Sequence, residues 1–365
     1  MDIVAEIKGI KYKLYNTPKM NKLTIQDFDI NTCPASCSIS DDNIKFSISK
    51  WVSPKRTRSY PFERIYNTLG FTKRVTIIPI IKDEGKNGDR DFIQWDTMSL
   101  MSLFDVYVVL GYYIDADRHK TRINKITNQQ FDNSYIVSKL IEISNYHSSA
   151  LHWNLKEIKN TLPTLIDKVK YAYKRIGNKH DVEFHNELGI EKFKEQFISG
   201  VDEFMSTSRK KAKQAQRREK LTRQPKEVLT TETKATITIK NYLGGLYYFT
   251  IDEIEIREDK LLLIEGKHSK NSKLPSVSDI KDGLLKMILY CNLENISING
   301  VKYSHQPILK LTSENISGDI TSSDNTEKIN TFFEKNKFKR NQIELVKTIF
   351  KESKDNNFNI LIQEV

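Results

Sequence analysis

A chain of 365 residues with 38% hydrophobic content can bury a sizeable core, and its length favours two domains over one. Its 58 Lys and Arg against 47 Asp and Glu leave a formal charge of +11, an excess that points to a polyanionic partner, either nucleic acid or an acidic surface. No apolar run approaches the ~18 residues of a membrane span, and Cys33, Cys37 and Cys291 form an odd set with no signal peptide ahead of them, which argues against a disulfide framework and for a reducing cytoplasm.

Residues 1–50 alternate short apolar runs with polar breaks, as strands do, and carry no catalytic pattern. Cys33-Pro-Ala-Ser-Cys37 has a loose metal-ligand spacing, but no second pair completes a zinc set. Lys55, Arg56 and Arg58 then sit on a Pro-bounded loop between aromatics. Arginines there can grip phosphates or read guanine edges, or the loop is simply solvated. FERIYNTLG reads as a short helix closed by Gly70, and Val75 to Ile81 as a buried strand. The loop KDEGKNGDRD, a helical FIQWDTMSLMSLF and the buried strand VYVVLGYY complete a pattern that predicts a parallel βαβ unit. Loops at the carboxyl ends of such strands host sites, so Asp83, Glu84, Asp89 and Asp91 form a second candidate metal cluster beside the simpler reading of a solvated turn. GKNGD lacks the spacing of a phosphate loop.

Residues 134–222 are expected to be mostly helical, with Pro163 kinking or dividing the second helix. His147 with His152, and His180 with His185, each stand five apart, which does not put a pair on one helical face. They read as surface or helix-end residues. Arg209, Lys210, Lys211, Lys213, Arg217 and Arg218 cover most of the circumference of the last helix, leaving it little to pack on, and contact with nucleic acid phosphates accounts for that better than a solvated linker does. PKEVLTTETKAT reads as the joint to a final domain.

That domain is organised around LYYFTIDEIEIREDKLLLIEGK, two strand-like runs joined at Glu258-Asp259. Any even-length loop centred there sets Arg257 opposite Lys260 and Asp252 opposite Glu265, with Lys267 on the face of Glu265. Opposed side chains in such a pair have Cβ atoms only ~4.5–5.5 Å apart. Two carboxylates that close, on a face shared with Ile254, Ile256, Leu261 and Leu263, need a proton or a cation between them. Mg²⁺ suits such a pair, and the Lys267 ammonium beside it can hold an attacking water or offset charge on a phosphate. A helix capped by Ser276 follows, its stripe of Ile280, Leu284, Leu285, Ile288 and Leu289 packing on the sheet while Asp279, Lys281, Asp282 and Lys286 lie away from it. The strand ILKL, a long helical stretch (TEKINTFFEKNKFKRNQIELVKTIFKES) and the strand NILIQE, covering and edging the sheet, end the chain.

Asp252, twelve intervening residues and Glu265-Gly266-Lys267 resemble the D…(D/E)xK signature of the PD-(D/E)XK nuclease superfamily, which includes most type II restriction endonucleases. The order of hairpin, helix and strand is similar to that family's core over roughly the last third of the chain. Ile251 stands where the motif has its proline. Lys286 and Tyr290 occupy the places of a Gln-x-x-x-Tyr pair found in one branch. The resemblance implies a C-terminal α/β domain with a mixed sheet flanked by helices (residues 226–365); the patterns before it read as an N-terminal α/β part (1–130) and a helical middle (131–225). It implies Mg²⁺-dependent cleavage of double-stranded DNA by a homodimer, with Asp252 and Glu265 binding the metal and Lys267 orienting water. The rivals are a nucleic-acid-binding protein with an idle nuclease-like fold, a repair or RNA-processing nuclease, and chemistry seated at Asp89 and Asp91.

Overall fold

The structure, a computed structural model, describes residues 2–41, 44–54, 62–198, 201–220, 234–242 and 244–365. It is a mixed α/β protein. In chain order the elements are β1 (Asp2–Ile7), β2 (Asn21–Leu23), β3 (Ser36–Asp41), β4 (Ile44–Lys50), α1 (Phe62–Thr68), β5 (Arg74–Pro79), β6 (Ile81–Asp83), β7 (Arg90–Phe92), α2 (Trp95–Leu103), β8 (Tyr107–Gly111), β9 (Tyr113–Arg118) and β10 (Ile126–Phe131). The helices α3 (Asn133–Ser144), α4 (Ala150–Lys156), α5 (Leu162–His180), α6 (Leu188–Ile198) and α7 (Val201–Lys220) follow. Then come β11 (Ala235–Asn241), β12 (Leu246–Ile251), β13 (Glu253–Arg257), β14 (Lys260–Ser269), α8 (Val277–Cys291), β15 (Glu294–Ile298), β16 (Val301–Lys302), β17 (Ser304–Ser313), β18 (Asp319–Thr321), α9 (Thr326–Lys335), α10 (Arg340–Asp355) and β19 (Asn359–Glu364). Among the described residues no helix is long and apolar enough to cross a membrane.

Contacts divide the chain into two compact units, Lys19–Lys211 and Met1–Pro18 with Ala212–Val365. This division differs from boundaries at 130 and 225. Ile136, Leu140, Ile143 and Trp153 of the helical stretch share one core with Ile39, Ile48, Ile77 and Val109 of the strands before it, so amphipathic helices and sheet bury one another.

In the unit Lys19–Lys211 the sheet runs β2-β3-β4-β5-β8, with β4, β5 and β8 parallel. The expected parallel βαβ unit is present, but its connection is more ordered than a loop. The apolar run 75–81 breaks at Ile80, and the acidic stretch folds into an antiparallel hairpin of β6 on β7. Pro163 stands in the first turn of α5, and Glu157–Thr161 before it is wound as a π-helical turn. A proline ring crowds the carbonyl four residues back and has no N–H to donate, and the wider turn is how the helix accommodates it.

The second unit holds two five-stranded sheets, β12-β11-β1-β15-β16 and β13-β14-β17-β19-β18. β1 lies parallel to β11, Asp2 opposite Thr236, so the first strand of the chain completes a sheet built from its last third. β14, β17 and β19 are parallel, and the connection that such a pair requires runs from β14 through α8 and the β15–β16 hairpin of the other sheet to β17. The last strand is not the edge: β18 pairs with its outer side. The long C-terminal helical stretch is two helices, separated at Asn336–Lys339 where Lys337 adopts a φ of 49°.

Candidate active site

The hairpin β13–β14 has the register that alternation and the turn require. Arg257 is opposite Lys260 and Glu253 opposite Ile264, where the ladder ends one residue short of Asp252 and Glu265. The loop is the two residues Glu258 and Asp259, and Glu258 takes a left-handed φ of 54°, a conformation in which its Cβ is crowded. Asp252 itself stands at a bend between β12 and β13 and is only 3% exposed. Its Oδ2 accepts the Gly266 N–H at 3.0 Å, and its Oδ1 lies 3.4 Å from the ammonium of buried Lys234. The bend thus anchors the first carboxylate to the backbone of the strand that carries the second.

Glu265 is 1% exposed and ionised. Its Oε1 is 3.0 Å from Lys267 Nζ and its Oε2 2.8 Å from Lys286 Nζ. Burial by itself would raise the carboxyl pKa, but the attraction of Lys286 and Lys267 outweighs it and brings the pKa to about 2. Burial likewise pulls the Lys267 pKa down, and Glu265, with a smaller contribution from Asp252, more than restores it, so the ammonium is held above its ordinary value. Lys267 therefore sits within electrostatic reach of both carboxylates.

The helix α8 lies over this face. At Gly283 an added Cβ would come within 2.6 Å of Leu309 Cδ1 and 3.4 Å of Lys267 Cε, so the absent side chain is what lets the helix approach Lys267. Ser276 caps α8 as expected, accepting the Asp279 N–H at 3.1 Å. Two lysines of this helix depart from the expected solvated face: Lys281 is buried, and Lys286 points at Glu265. Lys286 and Lys234 are the site residues that sequence reasoning did not assign. Lys286 had one signal, its place in the Gln-x-x-x-Tyr pattern, whereas Lys234 lies at the end of a stretch that looks like a linker. Glu253 points to the opposite face, where both its oxygens lie 3.1 Å from buried Lys310.

Mg²⁺ needs one or two carboxylates and completes its shell with waters and phosphate oxygens. Two buried carboxylates flanking a backbone N–H contact meet that minimum. Among the described residues no three acids, histidines or cysteines gather into a closed metal cage. A divalent ion held by Asp252 and Glu265 would compete with Lys234, Lys267 and Lys286 for carboxylate oxygens.

The other sequence-derived candidates are dispersed. The acidic cluster of the first unit does not converge: Asp83 contacts His185, Glu84 is held by Lys82 and Lys125 at 2.9 and 2.8 Å, and Asp91 accepts from Ser53. Burial pushes the Glu84 pKa up, but Lys125 and Lys82 overcome that and bring it to about 2. His185 is consequently no ordinary surface residue, contrary to the expectation from spacing. Lys55, Arg56 and Arg58 lie outside the described residues. On α7, Lys210, Lys213, Arg217 and Arg218 are exposed, while Arg209 is half-buried. Lys211 is exposed too, but its ammonium lies 5.4 Å over the Phe92 ring, where burial and then Arg90 lower its pKa. The helix does have a packing face: Phe204 and Gln216 are buried, and Gln216 donates to the carbonyls of Ile237 and Phe249 at 3.1 and 2.7 Å. Comparison with protein-family models, curated proteins and solved structures returns no match to this chain.

Proposed function

We propose that this chain is a Mg²⁺-dependent endonuclease that hydrolyses phosphodiester bonds of double-stranded DNA, most similar in kind to a type II restriction enzyme. The observation that carries the reading is the gathering of two buried carboxylates, Asp252 and Glu265, around the Lys267 ammonium. The sequence of hairpin, crossover helix and parallel strand β17 supports it, being the order that the D…(D/E)xK resemblance implies. Mg²⁺ bound at Asp252 and Glu265 would supply Lewis-acid stabilisation of the charge building on the phosphate. Lys267, kept protonated by Glu265, orients the attacking water and offsets that charge. Lys286 holds the second oxygen of Glu265 and so fixes the carboxylate's rotamer. The exposed cations of α7, Lys210, Lys213, Arg217 and Arg218, together with Arg209, Lys211 and the loop residues Lys55, Arg56 and Arg58, supply phosphate contacts. A homodimer in the cytoplasm, acting on a two-fold symmetric site, accords with this reading.

Each carboxylate already contacts a lysine, and this favours a second reading, a DNA-binding protein whose site is catalytically idle. Incubation of supercoiled plasmid and a genome-sized DNA with Mg²⁺ separates the two. An endonuclease yields discrete fragments with uniform ends, and Asp252→Ala and Lys267→Ala each cut the rate by ~10³-fold or more while duplex binding persists. Intact DNA across Mg²⁺ and Mn²⁺ with binding retained would establish the idle protein instead. Cleavage dependent on junctions, free ends or RNA would point to a repair or processing nuclease.

A further inference from the structure

The unit Lys19–Lys211 contains a cavity of about 800 Å³ between α5 and the turns around Asn124 and His185. The size suits a nucleotide-sized ligand. Its most constrained group is His185. Asp83, only 1% exposed, takes the ring's Nδ1 on Oδ1 at 2.8 Å, while the Gly85 N–H donates to the same oxygen and Arg90 lies 3.9 Å from the other. A carboxylate on Nδ1 fixes the ring and its tautomer, and directs the chemistry to Nε2. Among the described residues Nε2 has no protein partner, and His185 lines the cavity. The pairing spans 102 positions of chain and is held at both ends: Arg90 also donates to Asn186 O, next to His185.

The remaining charges of the wall divide into used and unused groups. Lys170 is paired with Glu191, and Glu183 with Lys86. Arg118 and Lys174 have no carboxylate partner among the described residues, and the acids Asp181 and Glu187 line the same space. Phe184 supplies a half-buried aromatic wall, its ring 5.0 Å from that of Tyr173.

We infer that this cavity binds a nucleoside monophosphate or the phosphorylated end of a strand. The shared chemistry is a phosphomonoester on a flat base with exocyclic N–H donors. Arg118 and Lys174 donate to the phosphate, the bare Nε2 of His185 accepts from a hydroxyl of the ligand, Phe184 faces the base, and Asp181 and Glu187 accept from its amino group. The site is distinct from Asp252 and Glu265 and is independent of their chemistry.

Isothermal titration calorimetry with the full chain in EDTA tests this, using AMP, adenosine, inorganic phosphate, and a DNA hexamer with and without a 5′-phosphate. AMP is expected to bind at least ~10-fold more tightly than adenosine, and the Arg118→Ala/Lys174→Ala variant to lose ~10-fold or more of AMP affinity. His185→Gln, whose fold is checked by circular dichroism, loses several-fold. Tighter binding of the phosphorylated hexamer than of AMP identifies a strand end as the source, and binding of AMP alone a free nucleotide. Equal affinity for AMP and adenosine, measurable binding of both hexamers with equal affinity, or an unchanged double variant each overturns the assignment. Since no cleavage is read, failure of the nuclease reading leaves this result standing.

Discussion

Replacing Lys286 with alanine removes the larger of two attractions that keep a fully buried Glu265 ionised. In the intact protein that carboxyl titrates at about 2 instead of 4.5. At ~1.4 kcal/mol per unit, the lysines and burial together leave the folded state favoured by about 3 kcal/mol once both states are ionised. Lys286 is the larger of the two attractions, so its loss should cost on the order of 1.5–3 kcal/mol at pH 7, the range of a hydrogen bond between charged groups. The sign follows from the lowered pKa. Stability from this carboxylate is present above the unfolded value and is lost as pH falls from 4.5 through about 2. Urea titrations at pH 7 and near pH 2.5 measure it, the difference between wild type and Lys286→Ala being large at the first and small at the second. A second measurement uses the background Glu265→Gln, in which removal of Lys286 should cost less than ~0.5 kcal/mol. A cost that is unchanged at acid pH, or undiminished in the Gln background, would show that Lys286 stabilises the protein through its aliphatic stem and not through the carboxylate.

Duplex binding should weaken uniformly across DNA sequences when Lys210, Lys213, Arg217 or Arg218 is replaced with alanine, each substitution lowering the slope of log affinity against log salt by ~1; fluorescence anisotropy between 50 and 200 mM salt reads this, and an unchanged slope would remove α7 from the interface. Glu258→Gly should raise stability by ~0.5–1 kcal/mol, because glycine occupies the left-handed φ of 54° without steric cost, as a rise in thermal midpoint would register.

How much of this was legible in the sequence depends on the range of the interaction concerned. The pairing of Arg257 with Lys260 follows from a two-residue loop and the period of two along a strand, and the ladder it sets runs to Glu253 opposite Ile264, beside Asp252 and Glu265. The distortion of a helix at Pro163 into a π turn, the cap at Ser276 and the parallel pairing of β5 with β8 are equally local or short-range consequences. The acidic hairpin at Asp83–Arg90 was missed because charged residues rarely mark a strand, and its stability comes from contacts with distant segments such as His185 and Lys125.

Strand alternation places Lys267 beside Glu265, but tertiary structure alone brought Lys234 and Lys286 to the buried acids. Lys234 precedes β11 and Lys286 lies on α8, where helical periodicity would send it to water. The partner of Asp83 and the insertion of β1 beside β11 were also beyond sequence reading, since each joins residues more than a hundred positions apart. Local pattern records which face of an element is apolar. It does not record which distant charge will be available to a carboxylate once water has been excluded, and that choice, made by packing, sets the chemistry of the site.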